Sequence, residues 1–137
     1  MRRLILTLVC TLLPASAWAM MPACHPFDRA PWVTCIYDGT SGWEAGVPWR
    51  LADFEPPHFK AAEAGCRAEQ IQGVRARDGL RALMSRGYTI IDTARRDKAQ
   101  VRLVRLRLLD GRDAGIELLS QGLVQALPNT GNRWCGK

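Results

Sequence analysis

The chain is 137 residues long and carries 19 Lys and Arg against 13 Asp and Glu, a formal net charge of +6. That length supports one hydrophobic core and excludes two independent ones. The excess of cations suits an anionic partner without requiring one, and no apolar run reaches the ~20 residues of a bilayer span.

Arg2 and Arg3 head an apolar run over residues 4–13, and Ala15, Ser16, Ala17 and Ala19 place small residues at a cleavage spacing. This three-part pattern predicts a secretory signal peptide cut after Ala19, and Pro14 helps to stop the run short of a membrane anchor. Residues 1–19 are therefore read as the signal, 20–31 as a Pro-rich N-terminal arm and 32–137 as the folded domain. The expected product is secreted or periplasmic, monomeric and without a membrane span. Losing Arg2 and Arg3 leaves seventeen cations against thirteen acids, a net charge of about +4.

Cleavage also removes Cys10 and leaves Cys24, Cys35, Cys66 and Cys135. An even number in an exported chain reads as two disulfides, with three pairings possible. Zinc is the weaker reading, since no C-x-x-C pair exists and His25 and His58 stand at no ligand spacing. Cys24 and Cys135 lie near the two mature ends, so the expected pairs are Cys24 with Cys135 and Cys35 with Cys66. Closing so long a loop would restrict the unfolded chain by about 4–5 kcal/mol.

The first strand signal is the β-branched and aromatic run at 32–37, ended by Asp38-Gly39. Residues 42–46 read as a turn around Trp43. Residues 47–54 alternate as a strand until Pro56-Pro57 break it, because proline cannot donate to a ladder. Ile71, Val74, Leu80, Leu83 and Met84 then recur near the helical period. They predict a helix over 67–86 closed by Gly87, with Gly73 and Gly79 each weakening it by about 1 kcal/mol. Strands follow at 88–93 and 101–109, joined by the charged turn Arg95-Arg96-Asp97-Lys98. Asp110-Gly111 is a tight turn, and residues 113–122 form a short helix with Ile116, Leu119 and Leu123 on one side. Residues 128–137 are a loop pinned by Trp134 and Cys135. This order predicts an α+β fold, a five-stranded OB-type β-barrel with two to three helices.

Three segments resemble the staphylococcal-nuclease (thermonuclease) family in its exported branch. Val33-Thr34-Cys35-Ile36-Tyr37-Asp38-Gly39-Thr40-Ser41 is similar to the family's strand followed by D-G-D-T. Trp49-Arg50-Leu51-Ala52-Asp53-Phe54-Glu55-Pro56-Pro57-His58 is similar to its R-L-A-x-I-D-x-P-E. Asp110-Gly111-Arg112-Asp113-Ala114-Gly115, continued by Gln121-Gly122-Leu123-Val124, is similar to its D-G-R-x-V-G and G-L-A segments. Cys66-Arg67-Ala68-Glu69 and Trp134-Cys135 also fit that branch. The resemblance runs from Val33 to Cys135 and implies a five-stranded barrel that hydrolyses DNA or RNA phosphodiester bonds with calcium.

In that chemistry carboxylates hold the metal, another carboxylate acts near the attacking water, and two arginines neutralise the phosphate. The resemblance carries these roles onto a depleted set of residues. Thr40 stands where the first metal carboxylate belongs, and a neutral hydroxyl is a poor replacement on a hard cation. Glu55 stands at the second, one methylene longer, and Pro56 follows where the family has threonine. His58 replaces the catalytic glutamate; a neutral imidazole can accept a proton near pH 7. Arg50 stands at the first phosphate-clamping arginine. Counting forward from Asp97 puts Val101 at the second, whereas counting back from Asp110-Gly111 puts Arg102 there. The backward count crosses no turn and favours Arg102, and a one-residue slip would reverse the face.

The expected site is thus Arg50, His58 and Arg102 as catalytic residues, Glu55 as metal ligand for a weakly held or absent calcium, and Arg50, Arg102 and Arg105 as substrate contacts. The cations Arg95, Arg96, Lys98, Arg102, Arg105 and Arg107 could track a phosphate backbone or form a solvated strand edge. Trp32, Trp43, Trp49 and Trp134 could stack bases or fill the core. Three functions stay open: a nuclease with weakened or lost catalysis, a non-catalytic module for nucleic acid or another anion, and a structural envelope protein.

Overall fold

The computed structural model describes residues 18–25 and 32–136. The signal-peptide reading of residues 1–17 and the second half of the arm therefore lie outside the described residues. The Asp38 carboxylate bends the chain after β1 (Cys35–Ile36), its Oδ1 accepting the Thr40 N–H at 2.8 Å. The turn expected at 42–46 shrinks to Ala45 and Gly46, whose φ values of 47° and 78° suit a two-residue hairpin. Trp43 consequently sits inside β2 (Ser41–Glu44), which pairs antiparallel with β3 (Val47–Leu51). Asp53, at φ 67°, divides the predicted strand in two, leaving β4 (Phe54–Glu55) as a separate short piece.

Helix α1 (Arg67–Met84) begins at the predicted residue and ends two short of the predicted limit, with Ser85 as its cap and Gly87 at φ 113° turning the chain onward. Its buried stripe is Glu69, Gly73, Ala76, Leu80 and Met84. Ile71 and Val74, expected on that stripe, are 43 % and 39 % exposed. The first two turns face backbone rather than a cavity: a Cβ on Gly73 would lie 2.5 Å from the Phe59 nitrogen. Only a residue without a side chain fits there, so hydrophobicity cannot phase this half of the helix.

Strands β5 (Tyr88–Arg96) and β6 (Arg102–Leu108) form an antiparallel pair interrupted by an irregularity between Asp92 and Arg95. Helix α2 (Ala114–Ser120) is capped by Asp113, whose Oδ1 accepts the Ile116 N–H at 3.1 Å. It buries Ala114, Gly115 and Leu118, while Ile116, expected on the inner side, is 54 % exposed. A short β7 (Gln125–Ala126) pairs with β4.

The result is α+β: a mixed five-stranded sheet in the order β1-β2-β3-β6-β5, parallel only between β3 and β6, with two helices. Trp49 and Leu51 from β3, Val104, Leu106 and Leu108 from β6, Leu80 and Met84 from α1 and Leu118 from α2 build one core. Burying each such leucine contributes about 1.5–3 kcal/mol. No helix among the described residues is long and apolar enough to cross a membrane.

The disulfides correct the expected pairing. Cys24 joins Cys35 and Cys66 joins Cys135, with Cα separations of 4.9 and 5.8 Å. The arm adds onto β1, the Cys24 N–H donating to the Ile36 carbonyl and the Ile36 N–H to the Pro22 carbonyl, both at 2.9 Å. That pairing sets Cys24 beside Cys35. The tail meanwhile folds over the start of α1 and brings Cys135 to Cys66, the cap residue. Proximity to the chain ends was the wrong guide, because the arm runs to β1 and the tail to α1.

Candidate functional site

Alternation along β3 fixes the first site residue. Trp49 and Leu51 are buried, so Arg50 between them projects from the opposite face. Its guanidinium is half exposed, and the carboxylate paired with it is Asp97 at 3.9 Å. Arg50 lies in a recess of about 220 Å³ with Tyr37, Trp43, Pro48 and Val101. Trp49 also lines this recess, and its buried Nε1 has no hydrogen-bond partner among the described residues.

The parallel register resolves the two counts for the second arginine. Trp49 stands opposite Arg102, and Arg50 opposite Leu103. Arg102 therefore shares the face of Trp49 and of buried Val104, whereas Arg50 shares the face of Leu103 and, by alternation, of Arg105 and Arg107. Arg102 does not join Arg50, and its Nε is buried without a partner among the described residues. Val101, the forward-count residue, is the one beside Arg50.

The other expected residues are elsewhere. Thr40 is fully buried, its N–H held by Asp38 Oδ1 at 2.8 Å and its hydroxyl 3.4 Å from the same oxygen. Glu55 and His58 line a cleft of about 230 Å³ with Glu69, Asn129, Asn132 and Trp134, and neither Arg50 nor Thr40 borders it. Glu55 Oε2 accepts the Gln125 Nε2–H at 2.7 Å and an Asn129 amide N–H. Opposite placement on β4 and β7 brings Glu55 to Gln125.

His58 is anchored by Glu69. The Glu69 side chain is 2 % exposed, and its Oε1 accepts both the His58 N–H at 3.0 Å and the His58 Nδ1–H at 2.7 Å. Its Oε2 accepts the Gly65 N–H at 2.7 Å and an Asn132 amide N–H. Burial pushes the Glu69 carboxyl up, but the donors from His58, Gly65 and Asn132 outweigh it and hold the group at about 2. A carboxylate that stays ionised fixes Nδ1 of His58 as the protonated nitrogen.

These residues as arranged do not fit the calcium that the resemblance implies. Amide N–H donors meet the Glu55 carboxylate where a cation would need more oxygens. Among the described residues no three His, Cys, Asp or Glu side chains converge in a possible metal-holding group.

Sequence reading missed Glu69, Gln125, Asn129 and Asn132 as a group. Glu69 carried a signal: it is the third helical residue after the cap, the place from which a glutamate reaches back to free N–H groups. The cap is Cys66 instead of Ser or Thr, with its sulfur 3.4 Å from the Glu69 nitrogen, which disguised the pattern. The loop amides follow no period and carried none. Also missed was the contact of Tyr37 with Phe59, ring centroids 5.5 Å apart, with the Lys60 ammonium 5.1 Å from the Tyr37 ring. No protein-family model and no curated protein matches this sequence.

Proposed function

We propose that this chain is an exported module on a staphylococcal-nuclease-type barrel that binds nucleic acid through Arg50 and does not hydrolyse it with calcium. The element order, strands followed by α1, two strands and α2, supports that architecture. The two disulfides support export.

One observation carries the reading: Arg50 stays half exposed in a recess walled by Tyr37 and Trp43, while Glu55 and His58 are engaged in a separate cleft by Gln125, Asn129 and Glu69. A guanidinium beside aromatic faces meets the two demands of an unpaired nucleotide, charge for the phosphate and a stacking surface for the base. Loss of an acidic ligand at Thr40 and the capping of Glu55 by amides take away the field that would polarise a phosphoryl oxygen.

The test is tryptophan fluorescence during titration with single-stranded DNA, followed by incubation with calcium and then with chelator. Salt-sensitive binding that Arg50→Ala abolishes, with no cleavage product in either condition, is expected. Cleavage that needs calcium and stops with chelator would overturn it.

A further inference from the structure

We propose that the outer face of the sheet extends the Arg50 recess into a track for single-stranded nucleic acid, with Arg105 and Arg107 as the next phosphate contacts. This rests on the reading above and deepens it, because it turns a contact for one phosphate into a surface for a polymer.

Register places the three guanidinium groups together. Arg50 is opposite Leu103 in the parallel pair, and Leu103, Arg105 and Arg107 alternate outward along β6 while Val104, Leu106 and Leu108 are buried. Alternate residues of a strand are about 6.6 Å apart, so the two β6 arginines form a short row leading away from Arg50.

The basic run divides by partner. Arg95 bonds Asp53 at 3.1 Å and Arg96 bonds Asp92 at 3.2 Å, closer pairs than that of Arg50 with Asp97 at 3.9 Å, so these two cations are the more engaged. Arg102 faces the other side. Arg105 and Arg107 are exposed and make no ion pair or side-chain hydrogen bond among the described residues. Their cross-strand neighbours on β5 are Ile91 and Thr89, which carry no charge. Arg105 and Arg107 line a second, smaller recess with Asp113, whose backbone bridges to that of Arg107 and whose Oδ1 accepts the Ile116 N–H at the α2 cap. Two exposed guanidinium groups on one strand face, neither held in an ion pair among the described residues, present positive potential that suits a polyanion.

The partner is single-stranded because the track starts at Tyr37 and Trp43. Those rings can receive splayed bases, which a duplex keeps stacked within itself.

The experiment measures affinity of the full chain for an oligonucleotide of about twelve residues, a length within the usual site size of such folds, and for a dinucleotide, across a salt series. Three phosphate contacts predict a slope of log affinity on log salt near −2, from about −0.7 per contact on single strands. The double variant Arg105→Ala/Arg107→Ala should bring the slope to about −0.7 and weaken the oligonucleotide at least tenfold, leaving the dinucleotide unchanged. Arg105→Lys/Arg107→Lys, which keeps the charge, should retain the steep slope and guards against a folding defect. A double alanine variant that keeps the wild-type slope overturns the track while the Arg50 reading stands. Failure of the wild type to bind even the dinucleotide overturns both. Equal affinity and slope for heparin or for vesicles rich in anionic lipid would overturn the assignment to nucleic acid.

Discussion

His58 and Glu69 are bonded twice through one oxygen: the backbone N–H and the Nδ1–H of His58 both point at Glu69 Oε1, at 3.0 and 2.7 Å. With Gly65 and Asn132 on the other oxygen, the carboxylate ties the 56–66 segment, the start of α1 and the C-terminal loop into one unit. The histidine that sequence places at a catalytic position is, in the folded chain, held as part of that unit.

Glu69 should therefore govern acid stability. Its carboxyl is lowered from 4.5 to about 2 on folding, so its contribution is complete above pH 4.5 and is lost as pH falls towards 2. The shift corresponds to about 3 kcal/mol. Denaturant midpoints should fall steeply over that range in the wild type and much less in Glu69→Gln. Glu69→Ala, which strands buried donors, should cost about 3 kcal/mol at neutral pH. An unchanged acid limb in Glu69→Gln would show that another group is responsible.

The two disulfides should differ in weight. Cys66–Cys135 spans 69 residues and Cys24–Cys35 spans 11. Loop-closure entropy assigns them about 4.4 and about 2.8 kcal/mol. Paired Cys→Ser variants compared by urea unfolding should lose stability in that order, and the Cys66/Cys135 variant should also expose Trp134. The reverse order would mean that the arm, not the tail, is the more important tether.

Gly73→Ala reverses the usual helix rule. Propensity favours alanine by about 1 kcal/mol, but the new Cβ would meet the Phe59 backbone at 2.5 Å, where nothing flexible can yield. Overpacking of this kind costs about 1–3 kcal/mol. The variant should lower the melting temperature, and its His58 ring signals should shift because the 58–59 segment is pushed away from Glu69. A stabilised variant would show that this segment retreats freely.

The positions of β1, β3, β5 and β6 and the start of α1 were legible because β-branched runs and turn dipeptides are local signals. Strand β2, read as a turn, and the short β4 and β7 were not. The inner face of α1 was not legible. Its stripe opens with a carboxylate and a glycine, chosen by what packs against them from residues 57–59 and 132. Arg50 could be oriented from β3 alone, since alternation with Trp49 and Leu51 is a property of one strand. The face of Arg102 is equally written in β6, where it falls in step with buried Val104, Leu106 and Leu108. Which residue of β6 stands opposite Arg50, however, depends on a pairing between strands about fifty residues apart. The disulfides failed for the same reason: both partners of each bond are brought together by tertiary pairing.

The long reach of the tail also sets an order of assembly. A chain that emerges amino end first presents Cys66 and Glu69 well before Cys135 and Asn132, which follow 69 and 63 residues later. Until that tail arrives, the sheet and helix can form, but the carboxylate lacks one of its donors and Cys66 keeps a free thiol. Completion is thus deferred to the last segment delivered, and a product truncated before residue 132 would be left both incompletely bonded and chemically reactive.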